Sequence, residues 1–249
     1  KFAGDAHYWL GTLLKEEGKL KEAEEAFRAA LQSAPRKEIE RESQFQLAFL
    51  LQKSGKLDEA AGLFQALLTS PLQDKLSPQL LQWLAEFKSE KKAYKESLEA
   101  ASLLVQRSQE PAWQQTGWCL VGRNQLALGE SAKAEEAFRK SLDAKAKTAF
   151  RGEAAFHLGE LTLAGKKFDD AANFYKLAAE QASDDSQLAV RARAYVGIAK
   201  ASKGLGDLEN ASRYFMSVSI LYDDPEVVPE CMYEASRSLA LQGKKDEAQ

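Results

Sequence analysis

Small residues return along this chain at a fixed interval: Ala23, Ala60, Ser97, Ala134, Ala171, Ala211 and Ala248. By subtraction the steps are 37, 37, 37, 37, 40 and 37 residues. Four places after each of the first six stands a large side chain, Phe27, Phe64, Phe138, Tyr175 or Phe215, with Ala101 the exception in size. Upstream, the pair Leu10-Gly11 becomes Leu47-Ala48, Leu84-Ala85, Val121-Gly122, Leu158-Gly159 and Ile198-Ala199. Self-similarity at such a period is the signature of a solenoid, in which each repeat buries its apolar face on the next.

The first copy, Asp5 to Pro35, reads as two helices. Leu10, Leu13 and Leu14 recur at helical spacing with Gly11 between them, and Gly18 then interrupts a run of strong helix formers. A glycine there suits a left-handed C-cap. The second helix places Leu20, Ala23, Phe27 and Ala30 on one stripe, and Pro35 closes it. Small Gly11 and Ala23 let the two helices approach while Phe27 fills the space between them. Burying one such ring gives roughly 2–3 kcal/mol, too little for one helix pair alone. Hinge glycines are expected at Gly18, Gly55, Gly129, Gly165, Gly206 and Gly243.

The order large, Leu-Gly, Gly, Ala, Phe, Ala resembles the tetratricopeptide repeat (TPR) family. The fourth unit displays it as Trp118, Val121, Gly122, Gly129, Ala134 and Phe138, and the likeness runs from about Asp5 to Gln249. It implies an all-α fold, a right-handed α-solenoid of stacked antiparallel helix pairs, about six and a half units in a single superhelix over 1–249. The units fall at about 4–37, 41–74, 78–111, 115–148, 152–185, 192–225 and 229–249, the last truncated. The family period is about 34 residues, so three extra residues here lengthen the helices or the loops between repeats. Longer repeats with openings like AHYWLG resemble those of bacterial envelope TPR proteins, including outer-membrane assembly lipoproteins and Tol–Pal accessory proteins. The third unit is the weakest: Lys92 replaces the hinge glycine, Ser97 the alanine and Ala101 the ring, with Trp83 and Phe87 nearby to fill the gap. An acidic, polar insertion around Asp184-Asp185-Ser186-Gln187 accounts for the single step of 40.

The resemblance also implies that first helices line a concave surface, with their second, fifth, ninth and twelfth positions facing inward. Carried over one residue at a time, these give an aromatic cluster of Tyr8, Phe45 and Phe49, together with Thr12, then Gln82 and Glu86. Next come Cys119 and Arg123, Phe156 and Glu160, and finally Arg193, Lys200, Lys203, Tyr233 and Arg237. Exposed aromatics beside polar groups suit a peptide or helix laid in a groove; the alternative is that Phe45 and Phe49 pack against the neighbouring first helix. Arg191, Arg193, Lys200 and Lys203 have no acidic residue within their helix and could pair with acidic ligand groups or form a solvated face. The family's carboxylate clamp for chaperone tails needs Lys and Asn at the fifth and ninth positions of its first repeat. Here Tyr8 and Thr12 stand there, which argues against that activity.

Composition removes other classes. A net charge of −3 leaves no basic face for a phosphate backbone, so no nucleic acid partner is expected. No stretch approaches the roughly 18–20 apolar residues of a membrane span. Cys119 and Cys231 lie three units apart, too far for a disulfide within one solenoid, and no metal motif or cofactor signature is present. His7 and His157 sit beside core positions, and the acidic pairs Glu24-Glu25 and Glu135-Glu136 fall at solvated positions of second helices. No nucleophile–base spacing or phosphate loop appears, so the chain is not expected to be an enzyme.

The sequence therefore supports a non-catalytic protein–protein interaction scaffold, binding a protein or peptide on its concave face, with bacterial envelope assembly and a periplasmic setting favoured over the cytoplasm. The alternatives are a structural spacer or self-associating module, or the regulatory arm of a larger protein whose active domain lies elsewhere. The native polypeptide is expected to continue at both ends, because neither carries a polar cap.

Overall fold

The computed structural model describes residues 2–33, 36–182, 188–244, 246 and 248. Among these residues there are thirteen α-helices, one short 3-10 turn at Gln73–Lys75 and no strand. The chain divides into two compact units, Lys1–Ser108 and Gln109–Gln249. The first holds α1 (Phe2–Glu16), α2 (Leu20–Gln32), α3 (Lys37–Lys53), α4 (Leu57–Leu67), α5 (Pro78–Glu90) and α6 (Tyr94–Arg107). The second holds α7 (Pro111–Ala127), α8 (Ser131–Asp143), α9 (Ala149–Ala164), α10 (Phe168–Gln181), α11 (Leu188–Gly204), α12 (Leu208–Leu221) and α13 (Val228–Leu241). Within each unit consecutive helices pack as antiparallel pairs, each pair stacked on the next, which makes the fold an all-α solenoid.

The extra residues of the long repeat lie at the starts of first helices. α3, α7, α9 and α11 run 16 or 17 residues, against 11 to 14 for the second helices. The third repeat is built otherwise: α5 has 13 residues, and Ser77 caps it by accepting from the Leu80 N–H at 3.2 Å. The loop before it is held by Arg107, whose guanidinium donates to the carbonyls of Gln73, of Asp74 at 2.8 Å and of Leu76 at 3.0 Å.

One backbone device recurs after each first helix among the described residues. The N–H of Lys19 reaches back to the Leu14 carbonyl at 2.9 Å, and the same bond recurs at Lys56, Ala93, Glu130, Lys167, Asp207 and Lys244. This is a Schellman closure, and it needs a left-handed residue just before the donor. That residue is Gly18, Gly55, Gly129, Gly206 or Gly243, at φ from 77° to 81°. At the other two turns it is Lys92 at φ 60° and Lys166 at φ 58°. Gly165 is therefore not the hinge: it sits at φ −76° and the left-handed step falls one residue later. Pro35 and the insertion at 184–187 lie outside the described residues; α2 itself ends at Ser33, whose hydroxyl donates to the Ala29 carbonyl at 2.7 Å.

Small-against-large contacts form the core. Phe27, Phe64, Phe138 and Phe215 are fully buried, as are Ala23, Ala60, Ala134, Ala171 and Ala211. A methyl group added at Gly11 would stand 2.9 Å from the Phe27 ring, at Gly122 2.7 Å from Phe138, and at Gly159 2.8 Å from Tyr175. In the weak third repeat Ser97 replaces the alanine and donates its hydroxyl to the Ala85 carbonyl at 2.6 Å, so its polar atom is satisfied inside the core.

Candidate partner-binding surface

In the first unit the expected aromatic residues are partly consumed by packing. Phe45 and Phe49 meet edge to face at 4.9 Å, Phe49 meets the core ring of Phe64 at 5.1 Å, and Phe64 meets Trp83 at 6.0 Å. Trp83 and Phe87 stack at 5.4 Å. All but Phe64 are half-buried, so these side chains form a continuous row of rings rather than free anchors. Tyr8 does not join Phe45; it is half-buried against Trp9 at 5.1 Å and Phe27 at 6.0 Å. Thr12 turns back to donate to the Tyr8 carbonyl at 3.1 Å, and Gln82 donates to Glu86 at 3.2 Å.

The second unit brings four of the expected residues together. Phe156 and Glu160 of α9 and Arg193 and Lys200 of α11 line one groove of about 460 Å³. Leu163 and Val196 are among its apolar walls, with the Tyr175 ring and Gly197 between the two helices and Val227 and Glu230 closing one side. A second cavity of about 330 Å³, lined by Ala149, Gly152, Ala178 and Val190 among others, shares Phe156 and Arg193 with the first. Gly197 is required here: the Tyr175 ring occupies the place of its absent side chain. Burial also raises the Tyr175 hydroxyl pKa above its ordinary value, so the groove floor stays neutral.

The remaining expected residues fall elsewhere. Cys119 is corrected outright: it is 0% exposed and packs with Ala134, Phe138, Ala154 and Leu158, so no guest reaches it. Tyr8, Phe45 and Phe156 share its register but are long enough to emerge between helices; a cysteine is not. Burial pushes the Cys119 thiol well above its usual pKa, and burial pushes that of Cys231 up to about 11. Both cysteines are free. The basic cluster is also corrected. Arg193, Lys200 and Lys203 have acidic partners, supplied by the next repeat: Glu226 at 3.5 Å, Glu230 at 2.8 Å, and Glu234. Arg191 is half-buried. Arg123 pairs with Glu153 at 3.1 Å and Arg237 with Glu234 at 3.8 Å, while Tyr233 is exposed on α13.

Glu230 and Val227 were not among the expected residues. Glu230 stands 37 residues after Arg193 (230 − 193), the second position of the seventh unit, so the repeat register alone could have found it. Val227 precedes that unit and carries no such signal. His157 stacks on the Phe138 ring at 5.1 Å and its Nδ1 lies 2.9 Å from Glu160. Glu24, expected at a solvated position, is mostly covered and pairs with Arg28 at 3.0 Å and Lys56 at 2.6 Å. Among the described residues no group of three or more His, Cys, Asp or Glu could hold a metal, and no helix is long and apolar enough to cross a membrane.

Four tetratricopeptide repeat family profiles match the chain, at residues 4–37, 42–70, 121–186 and 192–218. The chain belongs to the tetratricopeptide repeat family. TPR proteins bind protein partners, and this one is a protein–protein interaction scaffold. Among solved structures, PilF of Pseudomonas aeruginosa is similar over 92% of this chain and 96% of its own, at 22% identity and a TM-score of 0.57. PilW, a type IV pilus biogenesis factor, is similar over 96% and 99%, at 17% identity and a TM-score of 0.51. The apo form of RapI is similar over 98% and 73%, at 10% identity and a TM-score of 0.57. At these identities the likeness to the TPR chain is one of fold. No curated protein matches it in sequence.

Proposed function

We propose that the chain is a non-catalytic scaffold that holds a segment of a partner protein against the inward-facing first helices of its second unit. The observation that carries this reading is the convergence of Phe156, Glu160, Arg193 and Lys200 on one groove with apolar walls. Apolar walls exclude water around a buried anchor, and a charged rim fixes orientation, the division of labour found in peptide-binding grooves. Phe45 and Phe49 have a lesser part, since their rings are engaged with each other and with Phe64.

Cell-envelope assembly is the proposed setting. It is supported by the long repeats and by the fold likeness to PilW, which is a type IV pilus biogenesis factor. A photo-crosslinking amino acid placed at Leu163 in the groove, and separately at Lys176, exposed on α10 outside it, tests the surface. The reading expects a protein adduct in the native host from Leu163 and none from Lys176; adducts from Lys176 alone would remove the groove from the account.

A second reading, self-association, is favoured by the exposed apolar side chains of α1. Leu10 is 46% exposed there. Phe2, Trp9 and Leu13 extend that exposed stripe.

A further inference from the structure

We infer that the groove between α9 and α11 recognises an internal acidic side chain flanked by apolar ones, with Arg193 receiving the carboxylate; this rests on that groove being the partner site. The second unit carries a ladder of ion pairs between successive first helices. Arg123 at a ninth position meets Glu153 at the second position of the next repeat, 3.1 Å away. Lys200 meets Glu230 at 2.8 Å in the same way. Each pair is 30 residues apart in sequence (153 − 123 and 230 − 200).

The rung between these two is Glu160 and Arg193, and it is open. The charges are complementary but reversed in order, and the spacing is 33 residues (193 − 160). The difference of three equals the excess of the single 40-residue step over 37, so the one irregular interval of the repeat falls inside this rung. Glu160 turns to His157 Nδ1 at 2.9 Å, and Arg193 reaches Glu226 at 3.5 Å. Both line the groove of about 460 Å³ instead of closing it.

Charge complementarity selects the occupant. Of the charges lining the two cavities, Glu153 is held by Arg123, Lys200 and Glu230 hold each other, and Glu160 has the His157 imidazole at 2.9 Å. Arg193 is the less engaged of the two cations: its side chain is 55% exposed, and its partner Glu226 is 81% exposed on a long contact, against 2.8 Å between Lys200 and Glu230. Pairs of that kind contribute little and exchange readily for another carboxylate. A guanidinium also offers two parallel donors to a carboxylate, a geometry an ammonium lacks. Because Arg193 and Phe156 belong to the walls of both cavities, a carboxylate placed on Arg193 has an apolar compartment on either side, one with Leu163 and Val196, the other with Ala178 and Val190.

Panning a phage-displayed library of random peptides of about twelve residues on the whole chain tests this. Enriched peptides are expected to carry Asp or Glu beside Leu, Ile, Val or Phe. Arg193→Glu, at an exposed position, is expected to keep the circular dichroism of the parent, weaken those peptides by about tenfold or more in fluorescence polarisation, and select Lys- or Arg-bearing peptides when panned itself. Peptides weakened by Phe156→Ala or Val190→Asp yet bound unchanged by Arg193→Glu would overturn the acidic specificity and leave the groove standing. A library in which no peptide depends on Phe156, Val190 or Arg193 would overturn both.

Discussion

At Gly122 the absent side chain has been replaced by a neighbour's ring: a methyl group would lie 2.7 Å from Phe138. Phe138 is fully buried and cannot retreat into solvent, so overpacking must push α7 and α8 apart. Gly122→Leu is expected to cost about 3 kcal/mol, read as a lowered urea midpoint; an unchanged midpoint would contradict the register. Lys166 presents the opposite case. It holds φ 58° where five other turns use glycine. Lys166→Gly is expected to raise stability by about 1 kcal/mol in the same assay, because the left-handed strain it removes exceeds the entropy that glycine adds. Glycine at the hinge was legible in the sequence wherever glycine was used. Lys92 was placed at the hinge by the repeat register alone, but Lys166 was missed for the neighbouring Gly165, because the Schellman bond is made by backbone atoms and any residue can be forced into the turn at a cost.

Between elements, the second helices of the first unit are tied by charges that cross from repeat to repeat. Arg28 on α2 holds Glu24 at 3.0 Å and donates to Glu59 on α4 at 2.8 Å, and Lys56 returns to Glu24 at 2.6 Å. The Lys56 ammonium, then the Arg28 guanidinium, hold the Glu24 carboxyl below its ordinary value near 4.5. Hydrogen bonding from Arg28 does the same to Glu59. A carboxylate whose folded pKa is depressed stabilises fully above its unfolded value and loses that contribution as pH falls through the folded one. Thermal stability is therefore expected to hold down to about pH 4.5 and fall below it, with a shallower acid slope and a lower melting temperature at neutral pH in a Glu24→Gln/Glu59→Gln variant. Such pairings were hidden from sequence reasoning. The repeat register told which first-helix positions share a side, which is why Phe156, Glu160, Arg193 and Lys200 were found. It could not tell that Glu226 and Glu234 would pair with Arg193 and Lys203, since neither stands at one of the inward-facing positions, whereas Glu230 does. Nor could register alone distinguish a Cys119 that stops short of the surface from a Phe156 that reaches it.

Across the whole chain, Phe2, Trp9, Leu10 and Leu13 form an exposed apolar stripe on α1. If self-association uses it, sedimentation velocity over a concentration series shows a growing weight-average mass, and Leu10→Glu/Leu13→Glu abolishes the growth without disturbing the helical dichroism. A parent chain of constant mass would rule out this route. The seven Schellman closures bear on how a protein of this kind lengthens over evolutionary time. Each joint is complete within a handful of neighbouring residues and owes nothing to distant parts of the polypeptide. A gene that duplicates one 37-residue block thus inherits a finished joint and leaves every older one undisturbed, so the span of the molecule can be reset in whole steps without inventing a new turn.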